Sequence, residues 1–167
     1  MKKLSVLFAA VMMFVSFGVA KAQKTATLDV MSILNVMPEK KKADADLKTF
    51  LDAKQAEIKK KAEAGQAKMK LYSEEAPKKT AAENQAREQE LGKMQEEIAQ
   101  MQDKAQKDFI AKQEAAYTPI QKKIDDAVAK VAKANTIDFV LDGNSTTFIY
   151  KNGPDITADV KKELGLK

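Results

Sequence analysis

The sequence predicts an α+β protein: a long antiparallel helical-hairpin (coiled-coil) arm on a small β-rich body that ends in a short C-terminal helix. Three observations predict it. Apolar residues recur at spacings of three and four between residues 39 and 135, the mark of helices with one apolar stripe. Ser73-Glu74-Glu75-Ala76-Pro77 interrupts that pattern. At Thr136 the composition changes, and two short apolar runs follow, Ile137-Asp138-Phe139-Val140-Leu141 and Thr146-Thr147-Phe148-Ile149-Tyr150. A plain coiled coil has no use for such an end, so the helices read as an arm fixed to a compact body.

Residues 1–22 read as a signal peptide. Lys2 and Lys3 precede an almost continuously apolar stretch over residues 4–19, and Ala20-Lys21-Ala22 matches a small-x-small cleavage pattern. That stretch is short for a membrane span. Cleavage before Gln23 removes Lys2, Lys3 and Lys21, so 29 basic residues become 26 against 24 acidic ones, a net charge of +2 instead of +5. A nearly balanced chain is not expected to bind nucleic acid.

Cys and His are absent. The chain is therefore no disulfide scaffold. It also lacks the commonest general base, the commonest metal ligand and the thiol nucleophile. No Gly-rich phosphate loop is present. The pairs Glu74-Glu75, Glu96-Glu97 and Asp125-Asp126 point apart on a helix and do not converge on a site. The expectation is no catalytic residue, no metal and no cofactor.

Residues 23–38 begin the body. Residues 24–30 have strand propensity, residues 31–37 read as one or two helical turns, and Pro38 suits the first turn of a new helix. The arm is expected over 39–135, with its tip near 73–77 and its last part packed on the body. Leu47, Leu51, Ile58, Ala62, Met69 and Tyr72 mark the outgoing stripe. Leu91, Met94, Ile98, Met101, Ala105, Ile120, Ile124, Val128 and Val131 mark the returning one. Residues 39–72 hold ten Lys and six acids, whereas residues 73–111 hold six basic and nine acidic residues. An antiparallel fold lays the basic half along the acidic half.

Residues 136–167 complete the body. Residues 136–141 and 146–151 are expected to form a β-hairpin around Gly143-Asn144, and with the first strand a sheet of about three strands. Thr157 is a good N-cap for a helix over 158–164, ended by Gly165. So small a sheet is marginal alone. Leu28, Ile137, Phe139, Leu141, Phe148 and Tyr150 are therefore the candidates for a core shared between subunits, an intramolecular core under the last helix being the alternative.

The arm suits a holder of other chains. Its seam is thin and Ala-rich, and Met69, Leu71, Tyr72, Met94 and Met101 are the candidates for contact with a bound client, methionine being suited to promiscuous contact. The alternative for each is that it only zips the two helices together.

Thr27-Leu28-Asp29-Val30, Ile33-Leu34-Asn35 and Pro38-Glu39 resemble the start of mature Skp/OmpH-type periplasmic chaperones. Lys130-Val131-Ala132-Lys133, Ile137-Asp138-Phe139-Val140-Leu141-Asp142 and Asp155-Ile156-Thr157-Ala158-Asp159-Val160 resemble that family's C-terminal block in order and spacing. The resemblance implies a homotrimer joined through its bodies. Its arms enclose a cavity that holds unfolded outer-membrane β-barrel proteins in the periplasm without ATP. The family's better-known members are more strongly basic than this chain. Contact with a membrane surface or with lipopolysaccharide is therefore expected to be weak. A structural or adaptor coiled-coil protein of the cell envelope is the rival reading.

Overall fold

Thr25–Leu28 forms β1, a strand buried over its last three residues, and Asp29 turns the chain directly into helix α1, Val30–Leu34. The Asp29 carboxylate accepts from the Ser32 backbone N–H at 2.8 Å, satisfying one of the amides a helix start leaves open. Met37 then leads into Pro38, which occupies the first turn of α2, Pro38–Glu75. The computed structural model describes residues 23–145 and 148–166. The predicted signal peptide lies outside them, as do Thr146 and Thr147 of the predicted hairpin.

Helix α2 is 38 residues long, about 57 Å at the α-helical rise. Ser73, Glu74 and Glu75, read from sequence as part of the break, continue it. The chain reverses over the 3-10 turn Ala76–Lys78 instead, with Pro77 inside that turn. Helix α3, Ala81–Ala134, returns over 54 residues, about 81 Å, and runs on through Pro119.

A capping box starts α3. Glu83 N–H donates to the Thr80 hydroxyl, and the Glu83 carboxylate accepts from Thr80 N–H at 2.9 Å. The Thr80 backbone bond, and after it the Thr80 hydroxyl donating to the same carboxylate at 2.8 Å, hold the Glu83 carboxyl down to about 2 from its ordinary value near 4.5. A depressed folded-state pKa gives stability that is complete above about 4.5 and lost as pH falls through about 2. Thr80→Ala is expected to weaken the tip by ~1 kcal/mol. Glu83→Gln, which removes the titrating carboxyl, should flatten the loss of helical circular dichroism across that acid window; an unchanged acid profile would rule out the box as its cause.

Strand β2, Phe139–Asp142, completes a two-stranded sheet among the described residues, and its pairing corrects the hairpin expected from sequence. It lies parallel to β1, with Thr25 opposite Phe139 and Leu28 opposite Asp142. Parallel strands need a long crossover, and here the entire arm supplies it. Among the described residues of the second predicted strand, 148–151, none pairs with β2. Asp142 accepts from Asn144 N–H at 3.0 Å, and Lys151 Nζ donates to the Gly143 carbonyl at 2.7 Å, so the turn leads the chain elsewhere. It returns at Asp155, which bridges to Thr27; Thr27 N–H donates to the Pro154 carbonyl at 2.8 Å.

The last helix, α4, spans Thr157–Glu163, and Gly165 follows with a φ of 69°, the left-handed geometry that glycine adopts freely. Thr157, expected as N-cap, is the first helical residue. Its hydroxyl accepts from Asp29 N–H at 2.8 Å, tying α4 to the start of α1. Ile33, Met37, Ile124 and Val160 are fully buried and join Ala26, Leu28, Ile120, Ala127, Val131 and Ile156 in one core. This core lies where the base of the arm meets the body.

Candidate functional site: the arm and the exposed face of the body

The charge asymmetry of the two helices is realised as pairs across the arm. Lys61 meets Glu97 and Lys68 meets Glu90 along its length, and Arg87 meets Glu75 near the tip. At the base the signs reverse, Lys123 on α3 meeting Glu39 on α2. Exposed pairs of this kind contribute about 0–1 kcal/mol each, so they set register more than stability. Two tyrosines reinforce them. Tyr72 donates to Glu90 at 2.5 Å, and Tyr117 donates to Asp44. Lys68, and after it Tyr72, hold Glu90 below the usual carboxylate range, while the bond to Glu90 pushes the Tyr72 hydroxyl up.

The five client-contact candidates divide by exposure. Met69 and Leu71 are about half exposed, on the outgoing helix short of the tip. Tyr72 lies beneath the Arg87 guanidinium, 4.5 Å from its ring centre, so its ring face is occupied as well as its hydroxyl. Met94 and Met101 are half-buried at the seam. Met94 lines a groove with Gly65, Met69, Leu91 and Ile98, and Met101 lines another with Lys54, Ile58 and Ala105. Leu51 and Ile110 add exposed apolar surface nearer the base.

The six shared-core candidates also divide. Leu28 is buried in the protomer's own core, and Ile137 packs against it. For these two the intramolecular core named as the alternative is what the structure shows. Thr136 has a φ of 52°, and Asp138 accepts from Lys24 N–H at 2.9 Å, so the chain turns between Ile137 and the strand. On β2, Val140 faces inward while Phe139 and Leu141 stand half exposed on the outer face. Phe148 is half-buried, Ile149 is fully exposed and Tyr150 is 80% exposed. The body therefore presents several large apolar side chains to solvent.

Among the described residues no group of three or more metal-ligating side chains gathers, and no helix is long and apolar enough to cross a membrane.

The family model for OmpH-like outer membrane proteins matches residues 24–164, which is nearly every residue of arm and body. The chain belongs to the OmpH-like family. It is 26% identical over 149 residues to the chaperone protein Skp of Pectobacterium atrosepticum, a match that covers 89% of this chain and 90% of that one. A solved structure from Caulobacter crescentus CB15, described as an OmpH-like outer membrane chaperone, superposes with a TM-score of 0.72 at 17% identity. It covers 86% of this chain and 84% of its own. At that identity the likeness establishes the fold, a helical arm on a small β body.

Sequence reasoning missed three surface residues of this OmpH-like chain. Ile110 was absent from the returning stripe, although it stands seven residues before Tyr117 and fourteen before Ile124, a spacing that could have found it. Met31, 53% exposed on α1, was read only as part of a helical turn. Leu51 sits in the apolar stripe, and only the arm's packing shows that 42% of it remains accessible.

Proposed function

We propose that the protein is an ATP-independent holdase of the periplasm. In this reading a leader at residues 1–22 directs export and is removed. Three protomers join through their bodies, with Phe139, Leu141, Phe148 and Tyr150 at the shared surface. The three arms enclose a cavity that takes up unfolded outer-membrane β-barrel proteins and keeps them from aggregating. The observation that carries the reading is the similarity to Skp, a chaperone, across nearly the whole of both chains. The arm adds a physical reason. Exposed Leu51, Met69, Leu71 and Ile110 offer scattered apolar contacts, each weak, so a client is held at many points and still released to fold.

The test mixes the chain from Gln23 with a urea-unfolded outer-membrane barrel protein, dilutes the urea, and follows light scattering without nucleotide. Suppression is expected to saturate near three chains per client. Unchanged scattering over a wide excess would overturn the holdase reading and favour a structural or adaptor role in the envelope.

A further inference from the structure

Methionine is the softest side chain this protein carries. Cys, His and Trp are absent from the whole sequence, so a peroxide, which attacks sulfur, finds only thioethers. Five methionines follow residue 22: Met31, Met37, Met69, Met94 and Met101. The fold grades their access. Met31 and Met69 are about half exposed, Met94 and Met101 are half-buried, and Met37 is sealed in the core at 0%.

Two of the five come together. Met69 on α2 and Met94 on α3 line one open groove of about 270 Å³, with Leu91 and Ile98 beside them. Met94 ends against Gly65, where a Cβ would lie 3.6 Å from its Cε, so no side chain at that position covers the thioether. Met101 lies in a separate, smaller groove between the ion pairs Lys54–Glu57 and Lys104–Asp108. Met31 is on α1, in the body. At the level of the Met69–Met94 groove, Lys61 with Glu97 and Lys68 with Glu90 tie the two helices together. Leu91 and Ile98 stay apolar whatever happens to the sulfur atoms.

We propose that Met69 and Met94 form a methionine-oxidation site, at which a peroxide turns the groove of the arm from apolar to polar and weakens its grip on apolar chains. Each thioether sulfur attacks one peroxide oxygen. An S–O bond forms as the O–O bond breaks, and two electrons pass from sulfur to the peroxide. The second oxygen leaves as hydroxide, which takes the proton of the first to become water. The sulfoxide that results is polar and is solvated where the thioether made apolar contact. The site rests on accessibility and sulfur chemistry; its consequence for a client rests on the holdase reading.

The test treats the chain from Gln23 with hydrogen peroxide at neutral pH and maps sulfoxide against time by mass spectrometry, with circular dichroism in parallel. Met31 and Met69 are expected to oxidise first and Met94 ahead of Met101, while Met37 stays reduced and the helical signal is kept. In the light-scattering assay the oxidised chain should need about fourfold more protein for the same suppression, a loss equal to one buried methylene of apolar contact. Met31→Leu should lose as much on oxidation. Met69→Leu/Met94→Leu, compared with its own untreated sample, should lose nothing. Met94 oxidising no faster than Met101 or Met37, undiminished suppression after oxidation, or an equal loss in Met69→Leu/Met94→Leu would overturn the proposal. An untreated chain that suppresses nothing would instead overturn the holdase reading and with it the consequence for a client, and the mapping alone would then decide the site.

Discussion

Phe139→Asp is expected to leave the protomer folded and to abolish its assembly. Phe139 is half exposed on the outer face of β2, so an aspartate there is solvated in the isolated protomer and costs little. In the proposed trimer the same position is buried against other subunits, where an unpaired carboxylate costs about 3–5 kcal/mol, more than a hundredfold in association. Sedimentation velocity should show monomers, while far-ultraviolet circular dichroism keeps the helical signal of the parent. Leu141→Asp on the same face should behave alike. Val140→Asp should unfold the body as well, because Val140 packs inward. A trimer that survives Phe139→Asp would place the subunit contacts elsewhere.

Ile124→Ala is expected to give the largest loss of protomer stability of any single truncation in the arm. Ile124 is 1% exposed and fills the junction where α3 meets the body. Truncating a buried isoleucine costs about 2–5 kcal/mol, the range reflecting how far the cavity collapses. For a chain of this size that corresponds to a fall in Tm of roughly 5–15 °C. The matched truncation Ile58→Ala lies in the half-buried seam far from the body and should cost well under half as much. Equal losses at the two positions would mean that the arm, not its base, carries the stability of the chain.

The contrast between those two isoleucines also shows what could be read from sequence. Both belong to runs of three-and-four spacings, Ile58 in the outgoing stripe and Ile124 in the returning one, and the spacing puts each toward the partner helix. It carries no information on depth. Ile124 is sealed because α1 and α4 close over the base, and Ile58 is left half open because only one other helix lies beside it. Tyr72 makes the same point at the tip. Its place in the stripe was legible, but the guanidinium over its ring and the Glu90 bond at its hydroxyl were not. Both partners come from the opposite helix, at a register that only folding sets.

The body was the harder part. Residues 137–141 and 146–150 both carry strand propensity, and only the first run supplies a strand among the described residues, Phe139–Asp142; propensity describes how a segment fits a pleated surface and says nothing of which edge it joins. A hairpin was the local solution. The chain instead joins β2 to β1 from the far end of the arm and leaves Ile149 and Tyr150 in solvent.

The sequence by itself determined the division into arm and body, the period of both long helices and their complementary charge. Each rests on interactions within a few residues or on summed composition. Only the tertiary structure decided that β1 and β2 run parallel, that Leu28 serves the protomer's own core, and that Phe139 and Leu141 face outward. Those outcomes depend on which of several competing edges and faces a segment packs against across the length of the arm, a choice made by long-range closure and packing, not by local preference.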